Sequence, residues 1–88
     1  MGSEVSTQEL RATWEAAASG WAKWESEFSR HLRAPTETLF DLAGISPGMR
    51  VLDLACGAGA QTLEAAKRVG ENGRVVACDI SDEMLDYV

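Results

Sequence analysis

Between Arg50 and Arg68 the chain passes from a short apolar run, Arg50-Val51-Leu52-Asp53-Leu54, through the small residues Ala55-Cys56-Gly57-Ala58-Gly59, into Leu63-Glu64-Ala65-Ala66-Lys67-Arg68. An apolar run, a break and then strong helix formers read as strand, tight turn and helix. Gly57 and Gly59 open backbone conformations closed to other residues, and they leave main-chain amides unshielded for a ligand. A nucleotide-like ligand is therefore the first expectation.

At 88 residues the chain has room for one small domain. Its net charge of -6 argues against a nucleic-acid backbone or an anionic membrane surface as partner, since both attract basic patches. No apolar run approaches membrane-spanning length, and the start lacks the basic and apolar regions of a signal peptide, so a cytoplasmic protein is expected. Met1-Gly2-Ser3 is given no role. Cys56 and Cys78 have 21 residues between them and only His31 as a helper, which disfavours a metal site. Two reduced thiols at the ends of neighbouring strands are expected in preference to a disulfide.

Upstream, Ser6-Thr7-Gln8-Glu9 has the form of a capping box, followed by Leu10, Trp14 and Ala17 at helical spacing. The pattern predicts a helix to about Ser19, an interruption at Gly20, and a second helix to about Arg33 with Trp21, Trp24 and Phe28 on one face. His31 reads as a surface or capping residue. Pro35 suits the first turn of a third helix, with Leu39, Phe40, Leu42 and Ala43 on its apolar side and Gly44 at its end. Ile45-Ser46-Pro47-Gly48 turns the chain into the first strand, Arg50 to Ala55. A helix from about Ala60 to Val69 stops at Gly70, and Arg74 to Asp79 forms a second strand whose apolar character suits cover on both faces. Ser81 caps a last helix.

Asp79 closes that second strand 22 positions after Gly57, where a dinucleotide-type unit carries the carboxylate that binds ribose hydroxyls. Capping the next helix is its plain structural alternative. The dinucleotide fingerprint is incomplete, because its third glycine position holds Thr62. Asp53, beside the turn, would also repel a diphosphate. S-adenosylmethionine has the ribose and adenine without phosphate and carries a sulfonium and an ammonium, so a carboxylate near the turn favours it.

Val51-Leu52-Asp53-Leu54-Ala55-Cys56-Gly57-Ala58-Gly59 resembles the first motif of class I S-adenosylmethionine-dependent methyltransferases, and Val75-Val76-Ala77-Cys78-Asp79-Ile80-Ser81 resembles their second. With Val69 to Arg74 and Met84-Leu85, the run from Ile45 to Leu85 is similar to the branch containing the ubiquinone and menaquinone biosynthesis C-methyltransferases. The resemblance implies S-adenosyl-L-methionine as cofactor, with Asp53, Ala55, Gly57, Ala58 and Gly59 along its methionine portion. Asp53 would act on the ammonium largely through the loop or water, Asp79 would bind the ribose and Ile80 would pack on adenine. Gln61 and Met84 are further cofactor candidates that suit surface or packing roles equally. Ala55 stands where many members have glycine. Trp14, Trp21 and Trp24 fall in a segment that lies over the cofactor in similar enzymes, which makes Trp21 and Trp24 candidates for a substrate lid.

The expected fold is α/β: a helical lid segment over residues 1–44, then the first βαβ unit of a Rossmann-like doubly wound parallel sheet over residues 45–88. Two strands leave edges to be completed by further chain, a partner chain or a swapped dimer. No catalytic residue is identified, and the chain by itself is expected to be inactive toward a small-molecule methyl acceptor. Three readings are left open: the cofactor-binding part of a small-molecule methyltransferase, half of a nicotinamide-dependent oxidoreductase, and a non-catalytic, self-associating interaction module.

Overall fold

The structure, a computed structural model, describes residues 5–88; Met1-Gly2-Ser3 lie outside the described residues. Ser6 opens the first helix, α1 (Thr7–His31), with its hydroxyl accepting from the Glu9 amide while the Glu9 carboxylate accepts from the Ser6 amide, each at 3.1 Å. This reciprocal pair satisfies two amides that the helix cannot bond internally.

The expected interruption at Gly20 does not occur, and α1 runs unbroken for 25 residues. An interior glycine costs a helix only about 1 kcal/mol against alanine. Docking of the half before Gly20 outweighs that: Ala18 is fully buried, Arg11 Nε donates to the Ile80 carbonyl at 3.1 Å, and the Glu15 carboxylate accepts from the Asp82 amide at 3.3 Å.

Only Leu32 separates α1 from α2 (Arg33–Ala43). Pro35 occupies the first turn of α2, where its missing amide is harmless, and Gly44 ends the helix in the left-handed conformation at φ 70. Arg68 fastens α2 to the helix beneath: its guanidinium donates to Asp41 at 2.7 Å and to the Glu37 carbonyl at 3.4 Å, and lies 5.3 Å from the Phe40 ring centre.

The α/β part consists of β1 (Arg50–Leu54), α3 (Ala60–Val69), β2 (Arg74–Cys78) and the short α4 (Asp82–Asp86). β1 and β2 pair in parallel, from Arg50 opposite Arg74 to Leu54 opposite Cys78, which is the strand, helix, strand unit of a partial Rossmann-like sheet. Each strand stops one residue earlier than expected. At β1 the cause is Ala55, whose φ of 59 turns the backbone out of extended geometry; after β2, Asp79 turns its carboxylate onto the Ser81 amide and starts the entry to α4.

α3 packs on one face of the sheet, burying Ala65 and Val69. The expectation of cover on both faces is not met among the described residues, since Leu52, Leu54 and Val76 are 66%, 75% and 46% exposed. No described helix is long and apolar enough to cross a membrane.

Candidate functional site

The turn from β1 to α3 is made by three residues with positive φ: Ala55 at 59, Gly57 at 59 and Gly59 at 96. Gly59 is the N-cap of α3 and supplies no side chain to its free amides. The turn therefore presents main-chain donors at the positive end of a helix. A Cβ on Gly59 would meet the Val88 side chain at 3.0 Å, in addition to its backbone strain.

Two carboxylates flank this turn. Asp79 Oδ2 accepts from the Gly57 amide and Oδ1 from the Ser81 amide, both at 2.9 Å, so the residue expected at the ribose also holds the turn against the start of α4. Each oxygen retains a lone pair for an incoming hydroxyl. The plain structural alternative and the binding role are thus compatible. Asp53 faces α3, and its Oδ2 accepts the Thr62 hydroxyl at 2.6 Å. It lies behind the turn and is not part of the cleft wall.

The negative field of both groups converges on Cys56. Burial, then the charges of Asp53 and Asp79, push its thiol above the ordinary cysteine range. Cys56 and Cys78 are both free thiols, joined through the backbone by Cys56 N to Cys78 O at 2.9 Å.

An open cleft of about 1370 Å³ lies between the turn and the helices α1 and α2. Ala55, Gly57, Ala58, Gly59, Asp79 and Ile80 line it. Met84 reaches it from a buried position at 3% exposure, chiefly as packing. Gln61 stands at its edge, donating from Nε2 to Thr36 Oγ1 at 3.0 Å.

The cations on the cleft wall already have partners: Arg30 with Glu27, Arg33 with Glu37, Lys67 with Glu64 and Arg68 with Asp41. Among the described residues neither Asp53 nor Asp79 has a cation within 4.0 Å. No described group of His, Cys, Asp or Glu is arranged to hold a metal ion.

The aromatic residues divide differently from the pattern expected. Trp14, Trp21 and Phe28 form the row along the cleft, with ring centres 6.3 and 4.8 Å apart. Trp24 is not on the cleft wall; it is 54% exposed, with the Lys23 ammonium 5.5 Å from its ring centre. Three contributors went unread in the sequence. Thr62 reads in the sequence only as an absent glycine, and neither Thr36 nor Arg68 reveals its partner there, because those contacts depend on the docking of α2 on α3.

Residues 45–88 match the family model described as a methyltransferase domain. The chain is 56% identical over 45 residues to the ubiquinone/menaquinone biosynthesis C-methyltransferase UbiE of Hydrogenovibrio crunogenus, covering 51% of this chain and 18% of that protein. It is 50% identical over 42 residues to the probable cobalt-precorrin-6B C(15)-methyltransferase (decarboxylating) of Thermoplasma acidophilum, covering 48% of this chain and 21% of the relative. A longer match, 38% identical over 72 residues, is to the demethylmenaquinone methyltransferase of Symbiobacterium thermophilum and covers 80% of this chain and 24% of that protein. The chain thus spans about a fifth of the length of the curated relatives it matches. No solved structure matches significantly. With half of its length matched by the methyltransferase model and its two motifs assembled around one turn, this chain belongs to the class I S-adenosylmethionine-dependent methyltransferase family.

Proposed function

We propose that this chain forms the S-adenosyl-L-methionine-binding part of a methyltransferase acting on a small molecule. The observation that carries the reading is electrostatic: a glycine turn lies between two carboxylates that lack cationic partners, beside a cleft whose own cations are already paired. A diphosphate would meet repulsion there, whereas a nucleoside bearing sulfonium and ammonium supplies the missing positive charge. The residues fit such a cofactor, since the turn offers unshielded amides and Asp79 offers lone pairs to vicinal hydroxyls.

The division of labour follows from those positions. Gly57, Ala58 and Gly59 present backbone to the methionine portion, Asp79 takes the ribose, Ile80 packs on the adenine, and Ala55 borders the sulfur side. Gln61 closes the edge and Asp53 acts from behind the turn through its charge. The cofactor, when bound, supplies an already activated methyl group, so the protein's task is approach geometry and exclusion of water.

The helical segment that ends at residue 44 acts as a lid, of which residues 5–44 are described. Trp14, Trp21 and Phe28 offer a surface for an apolar acceptor, and the cleft exceeds the roughly 300–1,000 Å³ usual for one small ligand. Trp24 contributes to acceptor binding only if the lid moves. The matched relatives' names, with ubiquinone, menaquinone and precorrin among them, support a small-molecule acceptor. The two described strands leave an outer edge on each side, and Leu52, Leu54 and Val76 leave one face open, which supports completion of the sheet by further chain or a partner and no turnover by these 88 residues alone.

Titration calorimetry with S-adenosylmethionine and with a nicotinamide dinucleotide tests the reading. Binding of the first and not the second is expected. The reverse result would transfer the chain to the oxidoreductase reading.

A further inference from the structure

We propose that Thr62 is a specificity-determining positioning residue, whose hydroxyl fixes the Asp53 carboxylate under the first turn of α3 so that the turn accepts a cationic nucleoside and rejects a phosphate-bearing one. The inference rests on the site reading given under Proposed function and extends it to how ligand charge is selected.

Taken alone, a glycine turn feeding a helix attracts anions, because the first amides are free and the helix dipole is positive there. α3 has this arrangement, with no side chain capping it. The attraction must be cancelled for a cation to be preferred. Asp53 does so from behind, and the 2.6 Å bond from Thr62 Oγ1 keeps its charge against that end of the helix.

Thr62 is only 8% exposed, so water does not compete well for the bond. No described cation pairs with Asp53 within 4.0 Å, so its charge remains expressed toward the turn. Cys56 registers this field: burial, then the charges of Asp53 and Asp79, raise its thiol above the ordinary range, while the Thr62 side chain opposes the rise. In a dinucleotide-binding turn the position of Thr62 is a glycine that lets helix and strand approach closely. Here the side chain occupies that space and uses it to hold a charge.

The test compares two ligands sharing a nucleoside: S-adenosylmethionine, and 5′-methylthioadenosine, which lacks the sulfonium and the amino-acid portion. Calorimetry of the full chain is performed on wild type, Thr62→Val and Thr62→Ser. Thr62→Val, which keeps the volume and loses the donor, is expected to weaken S-adenosylmethionine about tenfold while leaving methylthioadenosine within about twofold. Thr62→Ser is expected to restore the wild-type ratio. Equal weakening of both ligands by Thr62→Val, or no weakening of either, would overturn the inference.

If Thr62→Val does not fold, Asp53→Asn gives the same readout, since it removes the charge and keeps an oxygen for the Thr62 hydroxyl. It must lower S-adenosylmethionine affinity selectively, and equal losses would again overturn the inference. A wild-type chain that binds neither nucleoside would overturn the site reading itself and this inference with it, before any variant is compared.

Discussion

The Gly57 amide donates to Asp79 across 22 positions of sequence, at 2.9 Å, and the other oxygen of the same carboxylate takes the Ser81 amide. One side chain thereby connects the turn after β1 to the entry of α4. Asparagine has a single acceptor oxygen, and its amino group would face an amide donor. Asp79→Asn is therefore expected to lower stability by about 1–3 kcal/mol, as for a buried donor left without its acceptor. Urea unfolding measures the loss, and a change below about 0.5 kcal/mol would show that the two bonds contribute little. Cofactor affinity should fall in the same variant, because the ribose loses both an acceptor and a charge.

Ala55 sits at φ 59, a conformation that most residues avoid. Left-handed geometry costs an alanine about 1–2 kcal/mol, while glycine adds about 0.4–1 kcal/mol of unfolded-state entropy. Ala55→Gly is thus expected to be neutral or stabilising by up to about 1.6 kcal/mol, the net of these opposing terms. The same substitution at Ala65, buried inside α3, should destabilise by at least about 1 kcal/mol. Thermal unfolding of the two variants side by side reads the contrast. If both fell by equal amounts, the strain at Ala55 would be disproved.

The parts legible in the sequence are those fixed by local rules. The bounds of α3 were read as Ala60 to Val69 because Gly59 and Gly70, both at positive φ, punctuate it on either side. The two strands were read from their apolar runs, and Asp79 from its distance to the turn. What failed depended on contacts far apart in sequence. Gly20 reads as a helix break in any local window, yet α1 is unbroken, docked by Arg11 on Ile80 and Glu15 on Asp82, 69 and 67 positions away. Helical spacing placed Trp24 with Trp21 and Phe28, but the cleft selects only the row repeating every seven residues from Trp14. The Thr62 to Asp53 bond depends on how α3 lies over β1, which no spacing rule contains.

Gly73 gives a sharp packing prediction. A Cβ there would lie 2.6 Å from the Val69 carbonyl oxygen and 2.8 Å from that of Met49, and would collide with the Val69 side chain. Neither carbonyl is free to withdraw: Val69 O accepts from the Gly48 amide at 2.8 Å, tying the end of α3 to the turn before β1, and Met49 O accepts from the Arg74 amide at 3.0 Å, where β2 begins beside β1. Gly73→Ala is expected to cost about 1–3 kcal/mol or more, the range for overpacking against an unyielding surround. Urea denaturation reads it, and a variant as stable as wild type would mean that the turn relaxes freely.

Cys56 provides a solution probe of the charge at the turn. Burial, followed by the carboxylates of Asp53 and Asp79, raises its thiol above the ordinary value, so the fold favours the protonated form. By linkage, this contribution to stability is fully present below the unfolded-state value and is lost as pH rises through the folded one. Alkylation of Cys56 by iodoacetamide, followed by mass spectrometry of its peptide, should therefore reach half its maximal rate at a higher pH than an unfolded control peptide. Asp53→Asn and Asp79→Asn should each move that midpoint downward, since each removes a negative charge opposing the thiolate. Saturating S-adenosylmethionine should slow alkylation at every pH by covering the turn. A midpoint that ignores both substitutions would show burial to be the whole cause, leaving the turn without the negative field on which its preference for a cationic nucleoside depends.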